Sequence, residues 1–159
     1  MFYGVISLAY LRDAAYEVAD CIGHGANRMA APMVIETCAA ETQCGEYRDP
    51  TPNGAGRGVT QIDEGTFNWL QKKYGKSAVA KRVLQRFGID ITRVTHAELD
   101  YNPLLALIFA RLRYWVVTEP IPVTRAGRAA YWKKHYNTVA GKGDVEHFLT
   151  AAERCLGAE

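Results

Sequence analysis

Glu41 is the residue whose position best suits acid–base chemistry. It ends a stretch with helical apolar spacing that begins at Ala31, and a segment rich in Gly, Pro, Asn and Asp follows from Thr42 to about Gln61. A carboxylate at the end of a core helix is firmly held and partly desolvated, and desolvation raises a carboxyl pKa toward the working pH. A structureless stretch of about 20 residues inside a domain is usually functional. The helix end and the loop after it therefore make Glu41 a candidate for a general acid.

Other carboxylates compete with Glu41 or could assist it. Glu36 lies one and a half turns earlier on a different helical face, and Glu46 lies within the loop, where it is less firmly held. Asp63 and Asp49 are candidates for a second carboxylate. Asp63 could equally cap the helix that follows it. The residues alone leave these assignments open.

The four cysteines, Cys21, Cys38, Cys44 and Cys155, lack the paired spacing of a structural zinc site. Cys21 with His24, and Cys38 with Cys44, come nearest to such a site. The four histidines likewise show no paired spacing. We therefore expect reduced cysteines in the core, with room for one disulfide outside a reducing compartment, and no metal or other cofactor.

Size and composition favour one soluble domain. The chain has 159 residues, of which 48% are hydrophobic and 23% charged, which is ordinary for a globular protein. A net charge of +2 is too mild to favour a nucleic-acid partner. No apolar run reaches the roughly 20 residues that span a bilayer. The apolar segment Met1–Leu11 has no basic segment before it, so we expect neither membrane insertion nor a signal peptide.

The coarse pattern is helical. Apolar residues recur with the helical period in seven segments, and Gly or Pro separates most of them. We expect a mainly α, single-domain chain over residues 1–159, with a small β-hairpin allowed in the 42–61 region. The predicted helices span residues 7–21, 31–41, 64–74, 77–87, 100–117, 124–137 and 144–156. Pro103 suits a first turn, and Asp144 suits an N-cap.

The segment from Cys38 to Asp63 resembles the catalytic segment of soluble lytic transglycosylases and goose-type lysozymes. In that family a helix ends in Glu-Ser, a Gly-rich loop follows, and Gly-Leu-Met-Gln closes the loop. This chain has Ala39-Ala40-Glu41-Thr42 and then Gly58-Val59-Thr60-Gln61 at a similar separation. Ile62-Asp63 continues in the goose-type manner, where Gln-Val-Asp is typical.

Two further segments match the family in the right order. Asp100-Tyr101-Asn102-Pro103 precedes an apolar helix, as a corresponding segment does in the family. The run from Ala130 to Asn137 resembles the motif Ala-x-x-x-Tyr-Asn, with Gly141-Lys142-Gly143 after it. The resemblance covers about Ala31 to Leu149.

The resemblance implies a lysozyme-like fold and roles for particular residues. Glu41 would be the catalytic acid, and Asp63 is the candidate for a second catalytic residue. Thr42 stands where the family has Ser, and Val59-Thr60 stands where it has Leu-Met. The implied substrate contacts, with the Tyr136 hydroxyl near the catalytic carboxyl, are Gln61, Tyr136, Asn137, Tyr101 and Thr60.

The implied activity is cleavage of the β-1,4 bond between N-acetylmuramic acid and N-acetylglucosamine in peptidoglycan. We favour a lytic transglycosylase, because one Glu is matched and the Asp residues are not. A goose-type muramidase with a water positioned by an Asp is the first alternative, and a non-catalytic wall-binding or virion protein is the second. A small catalytic domain of this kind also resembles a bacteriophage endolysin. We expect a monomer, made in the host cytoplasm, whose partner is the glycan strand of the wall.

Overall fold

The computed structural model describes residues 1–50, 54–138 and 141–159, and over these ranges the chain is mainly helical with one small hairpin. This confirms the predicted mainly α class and the β-hairpin. The elements in chain order are α1 (Leu8–Ile22), α2 (Ala30–Thr42), β1 (Gly56–Arg57), β2 (Ile62–Asp63), α3 (Glu64–Tyr74), α4 (Ala78–Phe87), α5 (Pro103–Trp115), α6 (Arg125–Trp132) and α7 (Val145–Leu156).

Helices α2 and α5 form the centre of the fold. Every residue of α5 from Leu105 to Leu112 is buried, and so is every residue of α2 from Met33 to Ala40. A helix that is buried on all faces must be packed from several sides. Helix α1 packs against both of them, and α7 packs against α2. The C-terminal end of α2 is therefore carried by the buried centre of the fold.

Capping side chains decide where most of the helices begin. Each accepts a hydrogen bond from the backbone N–H three residues later, which satisfies one of the free donors of the first turn. The predicted N-cap at Asp144 is confirmed, and the predicted bounds of α3 agree with the structure. The capping residues are Ser7, Asp63, Ser77, Asn102, Thr124 and Asp144.

The predicted helix over residues 100–117 is shorter in the structure. Helix α5 begins at Pro103, because the Asn102 side chain caps it by accepting from the Leu105 N–H at 3.1 Å. The residues before it, His96–Asp100, form a separate 3₁₀ turn. Asp100 therefore stands in that turn, outside the helix.

The predicted helix over residues 124–137 changes its winding near the end. Helix α6 ends at Trp132, and Lys133–Asn137 continue as a π-helical turn that the Thr138 N–H closes on the Lys133 carbonyl at 2.8 Å. Single π turns are rare and often occur at functional sites.

The segment predicted as a loop from Thr42 to about Gln61 contains more structure than expected. A 3₁₀ turn at Gln43–Gly45 follows α2 directly. The antiparallel hairpin pairs Gly56 with Asp63 and Arg57 with Ile62. Strand β2 lies just beyond the predicted region, because the last four residues of that region make the turn between the strands. Residues 51–53 of this segment lie outside the described residues.

All four cysteines are free thiols, and Cys21, Cys38 and Cys44 are buried. Within the described ranges, no three His, Cys, Asp or Glu side chains are grouped so that they could hold a metal ion. No helix in those ranges is both long enough and apolar enough to cross a membrane.

Candidate active site

Glu41 is held where α2 leaves the core. The residues just before it, Cys38, Ala39 and Ala40, are buried, and α2 ends one residue after it at Thr42. Glu41 itself is half-buried. Its carboxyl is thus fixed by a rigid helix while part of the side chain stays accessible to a ligand.

The surroundings of Glu41 favour its protonated form. Burial raises the pKa of Glu41 from an ordinary 4.5 to about 7, and a hydrogen bond from Trp132 opposes this rise. In the part of the chain that the structure describes, no Lys, Arg or His forms an ion pair with this carboxyl. A carboxyl that titrates near neutral pH is protonated often enough to donate and is readily ionised afterwards, as general acid–base catalysis requires.

Trp132 is the residue that orients this carboxyl. Its indole N–H donates to Glu41 Oε1 at 3.1 Å, and its ring is almost fully buried beside His147 and Phe148. Trp132 lies within the run from Ala130 to Asn137, but no role was predicted for it from the sequence. The available signal was its position four residues before Tyr136, since residues i and i+4 share one face of a helix.

The turn Gly58–Gln61 joins the two strands beside the end of α2. The Gln61 N–H donates to the Gly58 carbonyl at 3.1 Å and closes the turn. Gly58 has a φ of +77°, and a Cβ there would lie 2.5 Å from the Leu99 carbonyl oxygen, so only glycine fits without strain. The Asp100 carboxylate accepts from the Gly58 N–H at 2.9 Å and from the Arg57 guanidinium at 2.5 Å. This role of Asp100 was not anticipated from sequence.

Thr42 connects the turn to the helix that carries Glu41. Its buried hydroxyl donates to the Val59 carbonyl at 2.8 Å and accepts from the Gly45 N–H at 3.2 Å. The Thr42 hydroxyl thereby fixes the turn relative to the catalytic candidate.

Thr60, one of the predicted substrate contacts, is fully buried. Its hydroxyl donates to the Ala106 carbonyl in α5 at 3.2 Å, and its own carbonyl accepts from the Tyr136 hydroxyl at 2.6 Å. Its side chain has no surface facing the solvent and therefore serves to hold the turn against α5.

Tyr136 and Asn137 lie in the π-helical turn that follows α6. Tyr136 stacks on Tyr114 with ring centroids 5.2 Å apart. Burial raises the pKa of Tyr136 well above its usual range, and the nearby charge of Glu41 raises it further, so the two side chains are electrostatic neighbours. The Tyr136 hydroxyl nevertheless donates to Thr60. The Asn137 side-chain oxygen accepts from Lys133 Nζ at 2.8 Å.

Asp63, the predicted second carboxylate, caps α3. Its carboxylate accepts from the Thr66 N–H and from the Thr66 hydroxyl, both at 2.8 Å. Partial burial by itself raises the pKa of Asp63, but these hydrogen bonds outweigh it and leave the pKa below its ordinary value. Asp63 is therefore ionised at neutral pH, whereas Glu41 is partly protonated.

Asp63 also lines a cavity of about 620 Å³ together with Arg57, Glu64 and His96. The cavity lies between the hairpin, the start of α3 and the 3₁₀ turn before α5. Gly54, Ala55 and Arg57 of the predicted loop line one part of it, and the other lining residues follow that loop. Glu41 is not among the described residues that line it.

The other carboxylates considered from sequence have different surroundings. Glu36 is buried and pairs with Arg125 at 3.0 Å and with Arg128 at 2.6 Å. Glu46 is exposed on the loop. Asp49 is also exposed, and its backbone N–H donates to the Tyr3 hydroxyl at 3.3 Å.

The remaining predicted contacts, Tyr101 and Gln61, can be reached from solvent. Tyr101 is 67% exposed, just before α5. Gln61 is half-buried, and its amide nitrogen donates to the Gly58 carbonyl at 2.9 Å and to the Tyr3 hydroxyl at 3.3 Å. Glu41, the Gly58–Gln61 turn, Trp132 and Tyr136 thus form one connected site, in which Tyr3 is a member that sequence reasoning missed.

The chain matches no protein-family model, and no curated protein or solved structure is significantly similar to it.

Proposed function

We propose that this protein is a peptidoglycan-degrading glycosidase that cleaves the β-1,4 bond between N-acetylmuramic acid and N-acetylglucosamine, with Glu41 as its general acid. One observation carries the proposal: a half-buried carboxyl with a pKa of about 7 ends a core helix and is tied through Thr42 to the Gly58–Gln61 turn. Glycosidic cleavage needs a proton on the leaving oxygen, and a carboxyl with a raised pKa supplies it.

The preferred mechanism is that of a lytic transglycosylase. Protonated Glu41 gives its proton to the glycosidic oxygen as the bond from that oxygen to the muramic C1 breaks. The acetamido oxygen of the same sugar then bonds to C1. Ionised Glu41 next removes the proton from the muramic 6-hydroxyl, whose oxygen displaces the acetamido oxygen and closes a 1,6-anhydro ring. A pKa near 7 suits a group that must act first as an acid and then as a base.

Hydrolysis remains the second candidate, because Asp63 has the opposite protonation state. An ionised carboxylate can position a water for attack, as the base of an inverting glycosidase does. Two hydrogen bonds from Thr66 already occupy the carboxylate as a helix cap, which favours the route that uses Glu41 alone. Gln61, Tyr101 and Asn137 are the proposed substrate contacts, since each is at least partly accessible.

Mass spectrometry of the muropeptides released from purified cell walls tests the proposal. We expect products that end in 1,6-anhydromuramic acid. Products with a hydrolysed reducing end would replace the transglycosylase with the muramidase. If the wild-type protein releases no more material than a protein-free control, the enzyme assignment fails and a non-catalytic wall or virion protein takes its place.

A further inference from the structure

The orientation of the Gln61 amide is fixed by its partners. Gly58 offers a carbonyl oxygen, which can only accept, so the atom 2.9 Å from it must be the amide nitrogen of Gln61. The same nitrogen donates its second hydrogen to the Tyr3 hydroxyl at 3.3 Å. Both amide hydrogens are therefore used within the protein, and the amide oxygen of Gln61 is left as a pure acceptor.

The Tyr3 hydroxyl offers a hydrogen-bond donor beside that acceptor. It accepts from Gln61 and from the Asp49 N–H, both at 3.3 Å, so its two acceptor positions are filled. Its own hydrogen has no acceptor among the described residues, and the Gln61 amide oxygen has no donor among them. Within residues 1–50, 54–138 and 141–159, the pair thus offers one unused donor and one unused acceptor.

The backbone around both side chains is specialised for this arrangement. Tyr3 has a φ of +59°, which is rare for a bulky residue, and Gly4 follows with a φ of +74°. The Phe2 N–H holds this turn by donating to the Gly45 carbonyl at 2.6 Å, just after the helix that carries Glu41. A Cβ on Gly56 would lie 2.7 Å from the Gln61 amide oxygen, so a side chain at position 56 would clash with that oxygen. Strained backbone of this kind is often retained at functional sites.

The spacing of the pair selects the class of ligand group. The oxygen and nitrogen of Gln61 share one carbon, so standard amide bond lengths place the Tyr3 oxygen within about 5.5 Å of the Gln61 oxygen. One hydroxyl that accepts from one group and donates to another holds its two partners about 4.5 Å apart at ordinary hydrogen-bond lengths. Because Tyr3 and Gln61 are both neutral, their pairing favours a neutral hydroxyl over an ionised group.

We propose that Tyr3 and Gln61 bind a single sugar hydroxyl of the glycan strand, with Tyr3 donating to that hydroxyl and Gln61 accepting from it. Tyr3 is then a substrate-binding residue that also fixes the amide of Gln61. This inference rests on the proposed function, because it takes a glycan as the ligand.

Isothermal titration calorimetry of the full chain carrying Glu41→Gln, which prevents turnover, tests the inference. The probes are a β-1,4-linked N-acetylglucosamine hexamer and a deoxy hexamer, in which hydrogen replaces the C3 and C6 hydroxyls. Adding Tyr3→Phe should weaken binding of the free hexamer about 3- to 10-fold, the usual worth of one neutral hydrogen bond, and leave binding of the deoxy hexamer unchanged. Tyr16→Phe, an exposed tyrosine on α1, is the matched control and should change neither affinity.

Equal affinity of the Tyr3→Phe protein for the free hexamer would overturn the inference. An equal loss for both hexamers would also overturn it, since a purely structural role of Tyr3 would act on both. If the Glu41→Gln protein binds neither hexamer while the wild-type protein still releases muropeptides, the inference fails and the proposed function stands. Absence of muropeptide release by the wild type would instead remove the proposed function.

Discussion

The indole N–H of Trp132 donates a hydrogen bond to the carboxyl of Glu41, across 91 positions of the chain. Trp offers one neutral donor on a large apolar ring, so it orients the carboxyl while adding little polarity around it. Had an Arg or Lys stood there, its charge would hold the carboxyl ionised. With Trp132 the desolvation of Glu41 prevails, and its pKa rises to about 7.

Replacing Glu41 with Gln should abolish most wall-lytic activity. Gln keeps the shape of the side chain but cannot donate a proton at neutral pH, and general acid catalysis is worth about 10²–10⁴-fold. We expect the rate at which a suspension of purified walls loses turbidity to fall by at least about 100-fold. Glu46→Gln, on the exposed loop, is the control and should stay active. Normal lysis by Glu41→Gln together with an inactive Glu46→Gln would show that the acid has been misassigned.

The same substitution should change how stability depends on pH. Between about pH 4.5 and about pH 7 Glu41 is ionised in the unfolded chain and protonated in the folded chain. The folded state then binds more protons, so this carboxyl makes stability fall as pH rises through that window. The Glu41→Gln protein lacks this loss. Its free energy of unfolding should therefore exceed that of the wild type by on the order of 1–3 kcal/mol at neutral pH, a range that allows for the partial exposure of Glu41. Urea unfolding across the window measures it, and a pH-independent difference would contradict the raised pKa.

Trp132→Phe should move the alkaline limb of the activity profile to higher pH. Phe keeps an apolar ring but loses the N–H that lowers the pKa of Glu41, so that pKa should rise further. Because the acid must be protonated to act, activity would persist to higher pH even as the maximal rate falls. Initial rates measured across pH test this. Trp69→Phe replaces a partly exposed tryptophan on α3 and serves as the control. If the alkaline limb of Trp132→Phe stays in place or moves to lower pH, the role of Trp132 is refuted.

Thr42→Val and Thr42→Ser should behave differently. Val matches the shape of Thr but leaves the Val59 carbonyl and the Gly45 N–H without the hydroxyl partner that they share. We expect a loss of about 1–3 kcal/mol in the free energy of unfolding, with reduced lysis below the melting temperature. Ser retains the hydroxyl and should keep most activity. Equal activity of the two variants would show that this connection does not position the site.

Glu36→Gln tests a glutamate that the sequence placed as a rival acid. In the structure the carboxylate pairs with Arg125 and Arg128 inside the protein, so its loss removes their buried counter-charge and leaves Arg128 paired with the exposed Glu159. Disrupting such a pair costs about 3 kcal/mol or more. Urea unfolding should show this loss, while the protein that remains folded at low temperature keeps its lytic activity. Full stability combined with loss of lysis would make Glu36 the better acid.

The sequence alone determined where most of the helices lie and led to the choice of Glu41. The bounds of α3 follow from apolar spacing and from the cap at Asp63, and Asp144 marks the start of α7 in the same way. These signals are local, because helical periodicity and capping depend on residues within a few positions of each other. Glu41 could be selected because it ends a predicted helix, a loop follows it, and Gly58–Gln61 at the end of that loop resembles a family motif.

Only the tertiary structure decided what surrounds those residues. Helices α2 and α6 both pack against α7, and this arrangement brings Trp132 to Glu41 and Arg128 to Glu36, 92 positions away. The sequence left Asp63 open between a helix cap and a catalytic partner, and the structure shows the cap. Desolvation and long-range pairing depend on which helices meet, and no periodic pattern within one segment encodes that. The acid could therefore be proposed from sequence, but the cause of its raised pKa lies in residues that folding brings to it.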